Sequence, residues 1–172
     1  MIINERDSRH RSVLDAARMM MTAARTAPKG KGLDLIETAI VEGDDLLRLS
    51  DAMMRLHQMT GRHVFERDAA NILQAEAVII IGVRPQPLGL DCGHCGFATC
   101  AEKPEKAPCA FNSVDVGIAI GSACSLGADL RIDSRVMYSA GMAAMQLRLL
   151  PECRNVFAIA LSASSKNPFF DR

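Results

Sequence analysis

The sequence predicts an α+β domain built around a metal or cluster centre on a loop, and three observations predict it. Helix-like and strand-like periodicities are interspersed along the whole chain. One run, Ala77-Val78-Ile79-Ile80-Ile81-Gly82-Val83, is apolar at nearly every position and reads as a buried strand. Finally, Asp91-Cys92-Gly93-His94-Cys95-Gly96-Phe97-Ala98-Thr99-Cys100, closed by Cys109, gathers four of the six cysteines. A chain of 172 residues fits a single domain, 1–172, with the cysteine-rich loop at 91–109.

Residues 8–27 place Val13, Ala16, Ala17, Met20, Met21 and Ala24 at three- and four-residue steps, which predicts a helix ended by Pro28 and the Gly30-Lys31-Gly32 turn. Residues 33–41 mix alternation with β-branched side chains and read as a strand. Gly43 breaks the chain, and Asp44 and Asp45 then favour a helix start. That helix carries Leu46, Leu49, Met53 and Leu56 on one face and stops near Gly61. A shorter helix, 66–74, leads into the buried strand 77–84, which Pro85 and Pro87 terminate. After Cys109 comes a glycine-containing helix in which Gly117, Gly121 and Ser125 recur every fourth residue and so share one face. Glycine inside a helix costs about 1 kcal/mol relative to alanine, so this spacing predicts close approach of another helix or a planar ligand. Residues 128–132 read as a short strand, 139–149 as a helix and 155–162 as the last core strand. Two aromatics in the tail, Phe169 and Phe170, predict docking on the domain surface.

In the loop, C-x2-C-x4-C spacing with glycine after each of the first two cysteines puts three thiols on a tight turn. Gly93 and Gly96 adopt positive φ at little steric cost, which predicts backbone N–H groups turned toward thiolate sulfurs. The metal ligands predicted are Cys92, Cys95, Cys100 and Cys109. Cys124 and Cys153 lie in apolar surroundings, where cysteine behaves as a small hydrophobe, and are assigned to packing. His94 is either a donor to the centre or a solvent-facing loop residue. Two ligand classes fit four thiolates, an iron–sulfur cluster or zinc. Zinc ribbons usually pair two C-x2-C knuckles, whereas this chain has one.

Composition narrows the function. Twenty basic residues balance 20 acidic ones, so no electrostatic case exists for nucleic acid or an anionic membrane as partner. Tryptophan is absent and tyrosine occurs once, which leaves no stacking platform for bases. The longest apolar run is too short for a bilayer, and the charged start, Met1-Ile2-Ile3-Asn4-Glu5-Arg6-Asp7, is unlike a signal peptide. A soluble cytoplasmic protein with reduced thiols is expected. No catalytic triad, paired-carboxylate or phosphate-loop signature occurs, as suits chemistry carried by a cofactor.

The loop C-G-H-C-G-F-A-T-C resembles the C-G-x-C-G-x-x-x-C motif of small 4Fe-4S domains in redox enzymes. Three further segments resemble nitroreductases. Ala23-Ala24-Arg25-Thr26-Ala27-Pro28 is similar to the A-A-R-x-A-P-S end of their first helix. Asp115 through Gly127 is similar to their central helix ending in G-L-G. Lys166 and Arg172 stand where they carry a basic pair. The combination resembles a family of ferredoxin-domain-containing proteins of uncharacterised function. It implies a nitroreductase-like fold with a central mixed sheet flanked by helices, a 4Fe-4S cluster, FMN, and an oxidoreductase or electron-transfer role. A homodimer with flavin at the subunit interface is also implied, together with an electron donor and a small-molecule substrate. The flavin phosphate then falls to Arg25, Lys29, Lys31, Lys166 and Arg172. Lys29-Gly30-Lys31-Gly32 departs from the serine and asparagine of the nitroreductase pattern, and Arg6-Asp7-Ser8-Arg9-His10-Arg11 matches their R-x-S-x-R motif only in part. The alternative is a non-enzymatic zinc- or cluster-binding module that has lost flavin.

Overall fold

A computed structural model describes residues 1–170. In chain order the elements are α1 (Glu5–Thr26), a 3-10 turn (Gly30–Gly32), β1 (Ile36–Val41), α2 (Asp44–Thr60), α3 (His63–Ile72) and β2 (Ala77–Val83). After the cysteine loop follow α4 (Ala110–Asp129), β3 (Asp133–Met137), α5 (Tyr138–Gln146) and β4 (Arg154–Ser162). The four strands form one sheet in the order β1-β2-β4-β3. Every pairing is antiparallel, so the sheet is not mixed as the resemblance implied.

Helices cover both faces, and the strand sequences show why. In β2, Val78 and Ile80 face one core with Ala158 and Ala160 of β4, while Ile79 and Ile81 face the other with Ile159 and Leu161. Alternate side chains point to opposite faces of a strand, so burial on both sides produces a continuous apolar run. The first core is completed by α2, α3 and α5 through Leu49, Met53, Phe65 and Ala143. The second is completed by α1 and α4 through Val13, Met20, Val116 and Ala119. Gly141 permits α5 to lie directly on β4, because a Cβ there would sit 2.0 Å from the Val156 carbonyl oxygen.

The strand expected at 128–132 forms at Asp133–Met137 instead, because α4 continues to Asp129 and a turn follows. The glycine face of α4 also differs from expectation. Gly117, Gly121 and Ser125 are exposed, and a Cβ at Gly117 or Gly121 would meet nothing within 4 Å. Close approach of α1 to α4 occurs at Gly127 instead, against Met20. The tail docks as expected. Phe169 is buried, Arg135 donates to its carbonyl, and the Arg135 guanidinium lies 5.0 Å from the Phe170 ring centroid. Among the described residues no helix is long and apolar enough to cross a membrane.

Candidate metal centre

β2 delivers the chain to one end of the sheet, and α4 receives it back at the same end. The buried carboxamide of Asn112, in the first turn of α4, donates to the carbonyls of Arg84 at 3.2 Å and Gln86 at 3.0 Å. Both ends of the intervening loop are thereby fixed, and the cysteines between them fold onto the N-terminus of α4. Gly93 and Gly96 take φ of 72° and 88°, the left-handed region that lets the loop turn back on itself, and Asp91 joins them at 46°. The amides do not all turn toward sulfur. Gly96 N–H donates to the Gly93 carbonyl at 2.9 Å, and Cys100 N–H donates to the Asp91 carboxylate at 2.6 Å.

Cys92, Cys95, Cys100 and Cys109 line one cavity, shared with the apolar walls of Pro87 and Phe97. Four thiols around one space, none of them in a disulfide, are a donor set that fits a thiolate-bound metal or cluster. Cys109 is the N-cap residue of the 20-residue α4. The positive end of the helix dipole therefore faces the cavity and favours thiolate charge there. Among the described residues, three metal-ligating side chains with ligand atoms all within 4.8 Å of one another occur only at His57, His63 and Glu66, so no three cysteine sulfurs meet that closely.

The remaining cysteines sit elsewhere. Cys124 packs beside the α1–α4 core, where burial raises its thiol pKa against a bond with Ser134. Cys153 belongs to the opposite core; burial, with a smaller contribution from Glu37, pushes its thiol up to about 11. Both thiols stay protonated at neutral pH, as suits packing. His94 is exposed, with its ring 6.0 Å from that of Phe111.

Among the described residues, the basic side chains expected at a flavin phosphate fall into two groups. Lys29 is a helix cap: its Nζ, with the side chain 4% exposed, donates to the carbonyls of Ala24, Arg25 and Ala27 at 3.0, 2.6 and 2.8 Å. Positive charge at a helix C-terminus satisfies carbonyls that lack partners, so this lysine is committed to α1. Arg25 pairs with Asp34 at 2.7 Å and donates to the Ile36 carbonyl at 2.5 Å. Lys31, at φ 56°, donates to the Leu88 carbonyl at 3.1 Å. These three lie beside the end of the sheet where Ile36, Val83 and Arg154 are paired. Lys166 follows the other end of β4, beside Arg67, Asn71 and Arg135. The nine residues of β4 separate the two groups, roughly 30 Å at ~3.3 Å per residue. Arg172 lies outside the described residues. Among the described residues, Arg25, Lys29 and Lys31 thus lie apart from Lys166 within a single chain.

Solved structures share the architecture. A nitroreductase with bound FMN from Bacteroides fragilis superposes with a TM-score of 0.63 at 16% identity, over 88% of this chain and 77% of that one. For a nitroreductase with bound FMN from Desulfitobacterium hafniense the score is 0.59 at 14% identity, over 92% and 82%. A BluB-like flavoprotein from Clostridium difficile gives 0.58 at 18% identity, over 88% and 84%. The fold is nitroreductase-like, and the class it defines with the loop is a nitroreductase-like domain carrying a four-cysteine cavity. The chain belongs to the family described as uncharacterized proteins containing a ferredoxin domain (DUF2148), whose family model matches residues 105–172. That segment includes Cys109 and α4 but begins after Cys100. An uncharacterized protein of Archaeoglobus fulgidus is 37% identical over 182 aligned positions, covering all of this chain and 98% of that protein.

Proposed function

We propose that this protein is an iron–sulfur redox protein in which Cys92, Cys95, Cys100 and Cys109 hold a 4Fe-4S cluster, acting in electron transfer or in a flavin-linked oxidoreductase reaction. The observation that carries the proposal is the single cavity lined by all four cysteines. Ferredoxin-domain membership and a fold shared with FMN proteins support a redox role. Zinc ribbons usually pair two C-x2-C knuckles and this chain has one, which favours a cluster over zinc.

Such a cluster supplies one-electron transfer and a flavin accepts one electron or two, so the pair would couple a one-electron donor to a two-electron reduction. The chain's own part is to bind and to shield. The four thiols are the ligands, the N-terminus of α4 favours their negative charge, and Pro87 and Phe97 keep water from one side of the cavity. Because one chain divides the basic residues between opposite ends of the sheet, FMN binding is assigned to a homodimer, in which a second copy supplies what the first lacks.

The test is the visible absorption spectrum of anaerobically purified protein, with its iron, acid-labile sulfide and zinc contents. Brown protein with iron and sulfide in comparable amounts is expected. Stoichiometric zinc without iron, from iron-replete cells, overturns the proposal in favour of a zinc module.

A further inference from the structure

We propose a second metal site, separate from the cysteine cavity, in which His57, His63 and Glu66 bind one zinc-class divalent ion. The helix turn between α2 and α3 builds it. Gly61, at φ 68°, caps α2 in the left-handed conformation and reverses the chain, so the last turn of α2 faces the first turn of α3. His57 Nε2 lies 3.8 Å from a Glu66 carboxylate oxygen, and His63 Nδ1 lies 3.5 Å from the same oxygen. All three ligand atoms fall within 4.8 Å of one another. The imidazole rings are 5.5 Å apart, centroid to centroid.

The tautomer of His57 is the further observation. Its Nδ1 stands 3.1 Å from the Arg62 carbonyl oxygen, which only accepts, so Nδ1 carries the proton. In the neutral ring the Nε2 lone pair then faces His63 and Glu66. A backbone carbonyl that fixes the outer nitrogen of a ligating histidine is the usual second support of a metal-bound imidazole. Arg62 and Arg67, the cations adjacent in sequence, have other partners: the Arg62 guanidinium donates to the Tyr138 hydroxyl at 2.7 Å and lies 5.5 Å from the Phe65 centroid, and Arg67 pairs with Asp68 at 2.8 Å. Two neutral imidazoles and a carboxylate suit zinc, with a fourth position open to water on this exposed surface. A bound ion would clip α2 to α3 across the Gly61 turn.

Protein whose cysteine centre is already loaded should be titrated with Zn2+ by calorimetry, so that its cysteine thiols are occupied. One ion per chain is expected, with affinity lowered at least about tenfold in His57→Ala and in His63→Ala. The His63 side chain is 89% exposed, so that variant retains its fold. His10→Ala, which removes a lone histidine–glutamate pair at 3.2 Å elsewhere, should bind as the wild type does. Titration with Co2+ should give weak d–d bands without thiolate charge transfer. Absence of Zn2+ binding, equal affinity in His63→Ala and wild type, or a thiolate charge-transfer band with Co2+ overturns the proposal.

Discussion

Asp115 on α4 holds the amide of Gly30 with both carboxylate oxygens, at 3.0 and 3.1 Å, across 85 positions of sequence. The pair joins the turn after α1 to the helix that begins at Cys109, and Lys31 extends the tie to Leu88 at the entrance of the cysteine loop. A Cβ at Gly30 would lie 2.4 Å from Leu88 Cδ1, so any side chain there must displace the buried Leu88. Asp115 is therefore a positioning residue for the cysteine loop.

Asp115→Ala leaves the Gly30 amide without its buried acceptor. Such losses cost about 1–3 kcal/mol. Urea unfolding should show a destabilisation of that size, and Gly30→Ala should be destabilised too, because Leu88 must move. Stability equal to wild type in both variants would remove the tie between the turn and α4 as a structural element.

The cysteines should divide into two groups. Serine at Cys92, Cys95, Cys100 or Cys109 is expected to strip iron and sulfide from the protein and to loosen the loop, because ligand binding and local folding are coupled. Serine at Cys124 or Cys153 should leave metal content unchanged. Loss of metal in Cys124→Ser with retention in Cys109→Ser would reassign the fourth ligand.

Cys153 sets an alkaline limit on stability. Its folded thiol is pushed up to about 11 from an ordinary 9.0. An unfolded chain releases this proton first, so the contribution is intact below pH 9 and is lost as pH rises from about 9 through 11. Cys153→Ala should flatten the fall in stability across that window, measured by denaturation at fixed ionic strength.

Much of the fold was legible in the sequence for one reason: periodicity reports which face is buried. The apolar run of β2 announced a strand covered on both sides, and the residues of α1 and α2 spaced for burial are the ones that pack. The cysteine cavity was legible because thiols at short spacing on glycine turns have few other uses. The partners of the basic turn were not legible: within the chain Lys29 binds carbonyls at the end of α1 and Arg25 binds the carboxylate of Asp34, contacts that sequence spacing does not encode. His57, His63 and Glu66 were also missed, since they meet only through the reversal at Gly61, a relation that neither helical nor strand spacing encodes.

Arg25 and Asp34 supply an acid-side prediction. Burial alone would raise the Asp34 pKa, but the Arg25 guanidinium, the Ile36 amide and Lys29 together hold it below its ordinary 3.8. A lowered carboxyl stabilises the fold above its unfolded pKa, and the gain disappears as pH falls through the folded value. Arg25→Ala should reduce this acid dependence below about pH 4 in thermal unfolding. An unchanged acid limb would mean that the ion pair contributes nothing in solution.

The proposed homodimer and its flavin would be linked through α4. Val114 and Ile118 are 52% and 40% exposed beside Gly117, Gly121 and Ser125, so a helix face of small and aliphatic residues faces away from its own chain. A homodimer would bury this face, and a two-fold axis would present each copy's basic residues to the other. Sedimentation should then report a dimer, and Ile118→Asp should convert it to a monomer by placing a charge in the interface. FMN titration, followed by quenching of flavin fluorescence, should show binding to the dimer and none to the Ile118→Asp monomer. Arg25→Ala should weaken binding about tenfold if its charge-assisted contact reaches the phosphate, at a cost of roughly 1.5 kcal/mol or more. A dimer that ignores FMN would break the flavin link while leaving the four-cysteine centre in place, and the protein would then act as an electron carrier. A monomer that binds FMN would instead place the flavin within one chain, where the described residues gather no phosphate site.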